Sequence, residues 1–179
     1  VFLILIFSFI SVWIFTLTDT GRLIRDKFLL SIPIFGSIIR QNILSKFSKT
    51  FGILISSGVA VMEAMDLVIK VVNNRVYELA VKDATKNIEN GVSISDSLKN
   101  TGVFPPIMIQ LFSTGEETGE IDNLSLKASD FYTKQVNASV DRLTSLIEPL
   151  LIILVGLVIG GVIIVTYLPI FQVGAAIAN

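Results

Sequence analysis

The chain has 179 residues, of which 52% are hydrophobic and only 16% are charged, whereas about 25% of residues are charged in an average soluble domain. The net charge of −1 argues against a general nucleic-acid binder. The sequence has no histidine and no cysteine, which excludes thiol nucleophiles, disulfides, zinc–cysteine sites and the commonest general base.

All charged residues lie between Asp19 and Glu148, and both ends of the chain are apolar. Residues 1–18 are predicted to form a transmembrane helix that is truncated at its start, as expected for a fragment of a longer protein. A signal peptide is the competing interpretation, but here the basic residues follow the apolar segment instead of preceding it.

Residues 19–146 are predicted to form an all-α domain, a six-helix bundle, because apolar residues recur at helical spacing from about Pro33 to Leu146. The first helix ends before Gly58, the second ends at Asn73-Asn74, and the third ends at Gly91. Their predicted inward faces include Ile43, Phe47, Phe51, Val61, Met65, Val68, Val72, Val76, Leu79, Ala80, Ala84 and Ile88.

The fourth helix is short, because Ser93 and Asp96 have the spacing of a capping box and the helix ends near Asn100. The fifth begins at Pro105-Pro106. The sixth is predicted to continue into a second membrane helix, with a kink at Pro149 as an option. Predicted inward residues of the last two helices are Ile107, Met108, Leu111, Phe112, Ile121, Leu124, Ala128, Phe131, Leu143 and Leu146.

An acidic connection, Gly115–Asp122, separates the fifth and sixth helices and contains Glu116, Glu117, Glu120 and Asp122. Three interpretations remain open. The acids favour the start of the sixth helix through its dipole, or they contact a partner protein, or they bind a hard cation such as calcium. The spacing does not match an EF-hand loop, so the metal interpretation is the weakest.

Residues 147–171 are predicted to form the second transmembrane helix, followed by a short extracytoplasmic tail, residues 172–179. The charge-free segment Leu150–Leu168 would be ~28 Å long as a helix, close to the ~30 Å hydrocarbon core of a bilayer. Glu148 marks its edge, either as a carboxylate that reaches water or as a partner contact. Gly156, Gly160 and Gly161 form a small-residue stretch that favours helix packing.

Basic residues fix the predicted orientation. Several follow the first apolar segment and others precede the second, but none lies beyond it. The central domain is therefore predicted to be cytoplasmic, with both chain ends outside. The residues that carry this argument are Arg22, Arg25, Lys27, Arg40, Lys46, Lys49, Lys127, Lys134 and Arg142.

The order and spacing of several short motifs resemble those of one family, the inner-membrane assembly-platform (GspF/PilC-like) proteins of type II secretion systems and type IV pili. Proteins of this family carry two copies of a six-helix cytoplasmic domain and three membrane spans, so the chain resembles the second copy. The motifs are Gly21-Arg22, Pro33-Ile-Phe-Gly36, Ser57-Gly58-Val59, Gly91-Val-Ser-Ile-Ser95, Phe104-Pro105, Gly115-Glu116 with Gly119, Glu148-Pro149 and Pro169-Ile-Phe171.

The resemblance implies a non-enzymatic platform protein of the cytoplasmic membrane that couples a hexameric cytoplasmic ATPase to pilin or pseudopilin assembly. The implied partners are that ATPase, pilin or pseudopilin helices, other platform subunits, the lipid bilayer and further copies of the chain. No cofactor, metal or nucleic acid is implied. The residues agree, since the chain has no GxxxxGK[ST] phosphate loop and no Asp, Glu, Lys, Arg or His in the interior of either predicted span.

Two other classes of protein compete with this interpretation. A membrane receptor or signalling module with a cytoplasmic helical bundle would require sensing and output domains, and neither is visible in these residues. A transporter would require polar or broken spans, whereas the second span has only Thr166 and Tyr167 near its outer end.

Overall fold

The computed structural model describes residues 18–177, and within this range it describes all side chains except those of residues 146, 150 and 165–177. The described residues form helices and no strand, which confirms the all-α prediction. The chain divides into two compact units, residues 1–137 and 138–179. The predicted first transmembrane helix, residues 1–18, lies outside the described residues except for Thr18.

The described part of the chain contains seven helices, one more than the six predicted for the domain. The additional helix is the first, and it precedes the region in which the apolar periodicity was found. In chain order the helices are α1 Asp19–Ser31, α2 Phe35–Ser56, α3 Val61–Val72, α4 Arg75–Glu89, α5 Ile94–Asn100, α6 Pro106–Thr118 and α7 Ile121–Ile177.

Two predicted helix ends are confirmed by their backbone geometry. Gly58 has φ +80°, and the Val59 N–H donates to the Leu54 carbonyl at 3.0 Å, which closes the last turn of α2. Asn73 is left-handed with φ +45°, and the Asn74 side-chain oxygen accepts from the N–H groups of Val76 and Tyr77. This asparagine pair therefore ends α3 and caps α4.

The core of the first unit is built around packed aromatic rings. Phe47 lies 5.2 Å from Phe104 and 5.9 Å from Phe112, measured between ring centroids. Tyr77 packs edge-on against Phe104 at 5.7 Å and donates a hydrogen bond to the Val103 carbonyl at 3.2 Å. Burial raises the pKa of Tyr77 to about 12, although the positive charge of Arg40 acts in the opposite direction.

The predicted inward face is confirmed for the three residues of α2, which are all buried. It is wrong for Leu79, Ile107 and Phe131, whose side chains are 37%, 42% and 36% exposed. In α7 the adjacent Tyr132 is buried instead of Phe131. Neighbouring helix positions differ by about 100° in direction. An apolar face that is predicted one position away from its true place therefore assigns the wrong side chain to the core.

Small residues allow α2 and the first turns of α7 to approach closely. A Cβ atom added to Gly52 would lie 3.0 Å from the carbonyl oxygen of Asp122 and 3.0 Å from Leu126 Cγ. Further along, the Ser45 hydroxyl is within hydrogen-bonding distance of Thr133 Oγ1, at 2.7 Å, and of Ser129 Oγ, at 3.3 Å. A larger side chain at Gly52 would push the two helices apart.

A buried carboxylate joins α1 to the start of α4. Asp26 is only 4% exposed, and its Oδ2 accepts a hydrogen bond of 2.8 Å from the backbone N–H of Arg75. The other carboxylate oxygen forms an ion pair of 2.9 Å with Arg25. Asp26 thus satisfies one of the free N–H groups at the helix N-terminus, where a negative charge is favourable.

The second unit consists of the later part of α7, which continues through Pro149 as a helix. Among the described residues, one helical stretch, Ile121–Ile164, is long and apolar enough to cross a membrane, and its best window has a mean hydropathy of 2.7 and no buried residue. The α1 and α2 pair, bent by 111°, meets the same criteria only when both helices are counted together.

Candidate partner-docking surface

The predicted acidic connection is shorter than the sequence indicated. Helix α6 continues to Thr118, so Gly115, Glu116 and Glu117 are helical and the connection consists of Gly119 and Glu120. Gly119 ends α6 with φ +74°. The prediction that Glu116 and Glu117 lie in a turn is therefore wrong. Carboxylates are unfavourable in the last turn of a helix, so the position of Glu116 needs an explanation from its contacts.

Glu116 is bonded to a neighbouring helix. Its two carboxylate oxygens accept hydrogen bonds from the backbone N–H groups of Ile94 and Ser95, the latter at 2.9 Å. The Ser93 hydroxyl accepts from the Asp96 N–H at 3.1 Å, which confirms the predicted cap at Ser93. The interpretation that Glu116 favours the sixth predicted helix is therefore wrong, because its charge faces the positive end of α5.

A glycine sets the position of this carboxylate. A Cβ atom added to Gly115, which is buried, would lie 2.8 Å from the Cα atom of Ile121. The last turn of α6 can therefore lie directly against the first turn of α7. Glu120 and Asp122 stand at the start of α7, where the dipole interpretation remains open for them.

The four acids do not form a metal site together. No group of three acidic side chains within the described residues could hold a metal ion. Both carboxylate oxygens of Glu116 already accept backbone hydrogen bonds, and Glu117 Oε1 accepts one from the Ser113 hydroxyl at 3.0 Å. The geometry thus gives the calcium interpretation no support.

An open groove lies between α5 and α6. Its main cavity has a volume of about 470 Å³, and an adjoining cavity of about 320 Å³ extends it towards Glu116. We call the two together the α5–α6 groove. Asp96 and Glu117 line both cavities from opposite helices, and both are exposed. Apolar side chains such as Phe104 and Ile109 contribute to the larger cavity.

This arrangement can bind a partner that presents a basic group beside an apolar one, because two carboxylates outnumber the single cation, Lys99, that lines the same partly apolar cavity. Sequence reasoning included Glu117 but missed Asp96. The sequence did contain a signal for Asp96, because this residue belongs to the predicted capping box, and the first turn of a capped helix places its aspartate near solvent.

The remaining candidate residues lie in the second unit. Glu148 is exposed on α7. Apart from the adjoining backbone of α7 itself, no described atom lies within 4 Å of a Cβ atom added at Gly156, Gly160 or Gly161. A partner contact at Glu148 and helix packing at the three glycines stay predictions.

Comparison with known proteins matches residues of both units to one protein family. Residues 47–169 match the family described as type II secretion system (T2SS), protein F. The chain is 40% identical over 88% of its length to type IV pilus assembly protein PilC of Myxococcus xanthus, covering 38% of that protein. It is 34% identical over 83% of its length to PilC of Pseudomonas aeruginosa, covering 40%.

A relative from a secretion system is also similar. Type II secretion system protein F of Pseudomonas aeruginosa is 31% identical over 81% of the chain, which covers 36% of that relative. The chain spans about two fifths of the length of the curated relatives it matches.

Proposed function

Because this chain belongs to the type II secretion system protein F family, we propose that it acts as a membrane platform that couples a cytoplasmic assembly ATPase to pilin or pseudopilin assembly. The observation that carries the proposal is the extent of the family match. It begins in α2, includes the whole aromatic core and runs through the apolar part of α7. A compact helical domain and a candidate membrane helix therefore belong to the same family unit.

The proposed role is mechanical and not enzymatic. The sequence has no phosphate loop, no histidine and no cysteine, so the usual loop for binding ATP, the commonest general base and the thiol nucleophile are missing. The purified chain is expected to show no ATPase turnover. Turnover that persists after contaminating ATPases have been removed would contradict this part of the proposal.

We assign docking of the ATPase, or of another platform subunit, to the α5–α6 groove. Asp96 and Glu117 provide the negative charge that recognises a basic partner. Glu116 holds α5 and α6 together beneath the groove, and Glu120 and Asp122 extend the acidic surface at the start of α7. In this proposal Glu116 positions the surface, whereas the exposed acids make the contact.

Pilin or pseudopilin helices are assigned to the apolar part of α7. Gly156 and Gly160 leave open space at the helix surface, and small residues at this spacing let a second helix approach closely. The same face could receive another copy of the chain in a homo-oligomer. The proposed location is the cytoplasmic membrane, with residues 19–146 on the cytoplasmic side.

A deletion and complementation experiment in the source organism tests both the platform function and the assignment of docking to the α5–α6 groove. Deletion of the gene should abolish pili or type II secretion, and the wild-type gene should restore them. Asp96→Lys with Glu117→Lys should fail to restore assembly although the protein accumulates with unchanged helicity. The matched control is Asp83→Lys with Glu89→Lys, two exposed acids of α4, which should restore assembly.

The outcomes of this experiment distinguish a failure of the platform function from a failure of the docking assignment. Normal pili and normal secretion in the deletion strain would refute the platform function itself. A deletion defect that the Asp96→Lys and Glu117→Lys variant repairs would refute the docking assignment alone.

A further inference from the structure

Helix α1 exposes large apolar side chains and buries an aspartate. Ile24 is 55% exposed and Phe28 is 68% exposed, and their spacing of four residues places them on one face. The opposite face contributes the buried Asp26. A helix whose outer face met only water would show the reverse pattern, so the outer face of α1 has the composition of a contact surface.

The turn that follows α1 extends this surface. Ile34 has φ +71° and ψ −61°, and the Phe35 N–H donates to the Pro33 carbonyl at 2.9 Å, which defines a γ-turn. A positive φ is strained for a β-branched residue. The side chains at this strained turn point outward, since Ile34 is 50% exposed and Phe35 is 58% exposed.

Packing fixes the bend between the two helices. A Cβ atom added to Gly36 would lie 2.3 Å from the Leu30 carbonyl oxygen, so only glycine lets α2 start directly against the end of α1. The helices are bent by 111° at this point. We call the exposed set Ile24, Phe28, Ile34 and Phe35 the α1–α2 corner.

Two cations lie beside the corner without an acidic partner. Lys27 and Arg40 both line a cavity of about 240 Å³, and its lining residues include no carboxylate. Neither side chain forms an ion pair with a described residue, whereas the adjacent Arg25 is paired with Asp26 at 2.9 Å. The unpaired positive charge is complementary to a phosphate group.

We propose that the α1–α2 corner lies on the membrane surface, where its apolar side chains enter the interface and Lys27 and Arg40 bind anionic phospholipid headgroups. The chain itself favours this occupant, because the charge-free residues 1–18 directly precede α1. If that segment spans the bilayer as predicted, α1 begins at headgroup depth. Apolar side chains flanked by basic ones are the pattern of interfacial helices. The proposal rests on the membrane location but not on the assembly function.

Site-directed nitroxide labelling of the full chain tests the contact. The sequence has no cysteine, so Phe28→Cys and Phe35→Cys each provide one labelling site. The control is Val92→Cys, an apolar residue that is 37% exposed between α4 and α5. The labelled chains are reconstituted in vesicles of phosphatidylcholine and phosphatidylglycerol, and collisions with oxygen and with a water-soluble nickel complex are compared.

At positions 28 and 35 oxygen collisions should exceed nickel collisions, as in a bilayer, and position 92 should show the reverse. Ratios typical of water at both corner positions would refute the proposal. Labels shielded from both reagents would also refute it, because they would indicate that a protein, such as a second copy of the chain, covers the corner.

The role of the Lys27 and Arg40 charges is tested with the same collision measurements. In vesicles of phosphatidylcholine alone, the label at position 28 should lie closer to water than in vesicles that also contain phosphatidylglycerol. Lys27→Gln with Arg40→Gln should remove this difference, while Lys46→Gln with Lys49→Gln, two exposed lysines elsewhere on α2, should preserve it. If the Lys27→Gln and Arg40→Gln variant keeps the full difference, these cations do not bind the headgroups. Because no step depends on pilus assembly or secretion, a negative result would leave the platform proposal standing.

Discussion

The Glu116 carboxylate, in the last turn of α6, accepts a hydrogen bond of 2.9 Å from the backbone N–H of Ser95, in the first turn of α5. It also accepts from the N–H of Ile94. A short helix gains little from its own hydrogen bonds, so α5 depends on this carboxylate from outside. The groove that we assign to partner docking has Glu116 as its structural support.

Glu116→Ala should lower the free energy of unfolding by about 1.5–3 kcal/mol, because charge-assisted hydrogen bonds to two backbone groups are lost. Glu116→Gln should have a smaller effect, since the amide oxygen still accepts a hydrogen bond. The control is Glu117→Gln, expected to change stability by less than about 0.5 kcal/mol. Denaturant unfolding in detergent, followed by circular dichroism, measures all three. Equal effects at positions 116 and 117 would contradict the assignment.

Gly115→Ala should destabilise the first unit by about 1–3 kcal/mol, because the new methyl group would overlap the backbone of Ile121. Gly156→Ala is a matched change in a helix, where the added carbon would meet only the adjoining backbone of α7 within 4 Å, and it should not destabilise the chain. Melting curves of the two variants provide the comparison. A Gly115→Ala variant as stable as wild type would mean that α6 and α7 do not approach so closely.

Asp26→Ala should cost about 1.5–3 kcal/mol, because the Arg75 N–H would lose its charged acceptor. Asp19→Ala is the control, since Asp19 is 73% exposed and lies 3.6 Å from Arg75. Exposed ion pairs contribute little, so its effect should stay below about 0.5 kcal/mol. Hydrogen exchange at the start of α4 provides a second measurement. Faster exchange there in the Asp26→Ala variant alone is the expected result.

Stability should fall as the pH rises from 10 to 12. Burial raises the pKa of Tyr77 and of Tyr132 from 10.0 to about 12 in the folded chain. The neutral hydroxyls therefore favour the folded state fully below pH 10, and this contribution is lost as the pH approaches 12. Ultraviolet titration of tyrosinate in the folded chain should show two groups that ionise well above pH 10.

The two tyrosines should differ when they are changed to phenylalanine. Tyr77→Phe should cost about 1 kcal/mol at neutral pH, because the bond to the Val103 carbonyl is lost. Tyr132→Phe should be neutral or stabilising, since its buried hydroxyl has no hydrogen-bond partner among the described residues. Unfolding curves at neutral and alkaline pH compare them. A large loss in Tyr132→Phe would show that this hydroxyl has a partner.

The predicted orientation can be tested with reporter fusions. A reporter after Asn179 should behave as extracytoplasmic, and one inserted near Asn100 should behave as cytoplasmic, because the basic residues lie between the two apolar segments. Alkaline phosphatase and green fluorescent protein report the two sides. The opposite pattern would overturn both the orientation and the assignment of the α5–α6 groove to a cytoplasmic partner.

Local signals predicted much of the fold. Phe47 and Phe51 were assigned to the core because helical spacing depends only on nearby residues, and Gly58 was assigned to a helix end because its backbone freedom is local. Helix α1 was missed for a physical reason. Its buried Asp26 and exposed Phe28 invert the usual pattern, and the burial of the carboxylate is explained only by its tertiary contact with Arg75.

The sequence predicted most of the acidic residues of the candidate site but not the role of each one. Glu116 and Glu117 are adjacent and chemically identical, yet one is bound by the backbone of α5 and the other faces the groove. The bond from Glu116 connects residues more than twenty positions apart, and no periodic pattern encodes such a contact. Asp96 enters the groove for the same reason, because the packing of α5 on α6 brings it opposite Glu117.

The close approach of α7 to α2 has a consequence for the order of synthesis. Ala128 and Tyr132 belong to the core that also contains Phe47 and Phe51, but the ribosome makes them some eighty residues later. Until the start of α7 is released, the aromatic rings of the earlier helices lack their last covering layer. The apolar stretch follows in the same helix, so the domain completes its core at the stage of translation when the candidate membrane segment is being made. A pause in translation at this point would leave a hydrophobic surface open to chaperones or to aggregation.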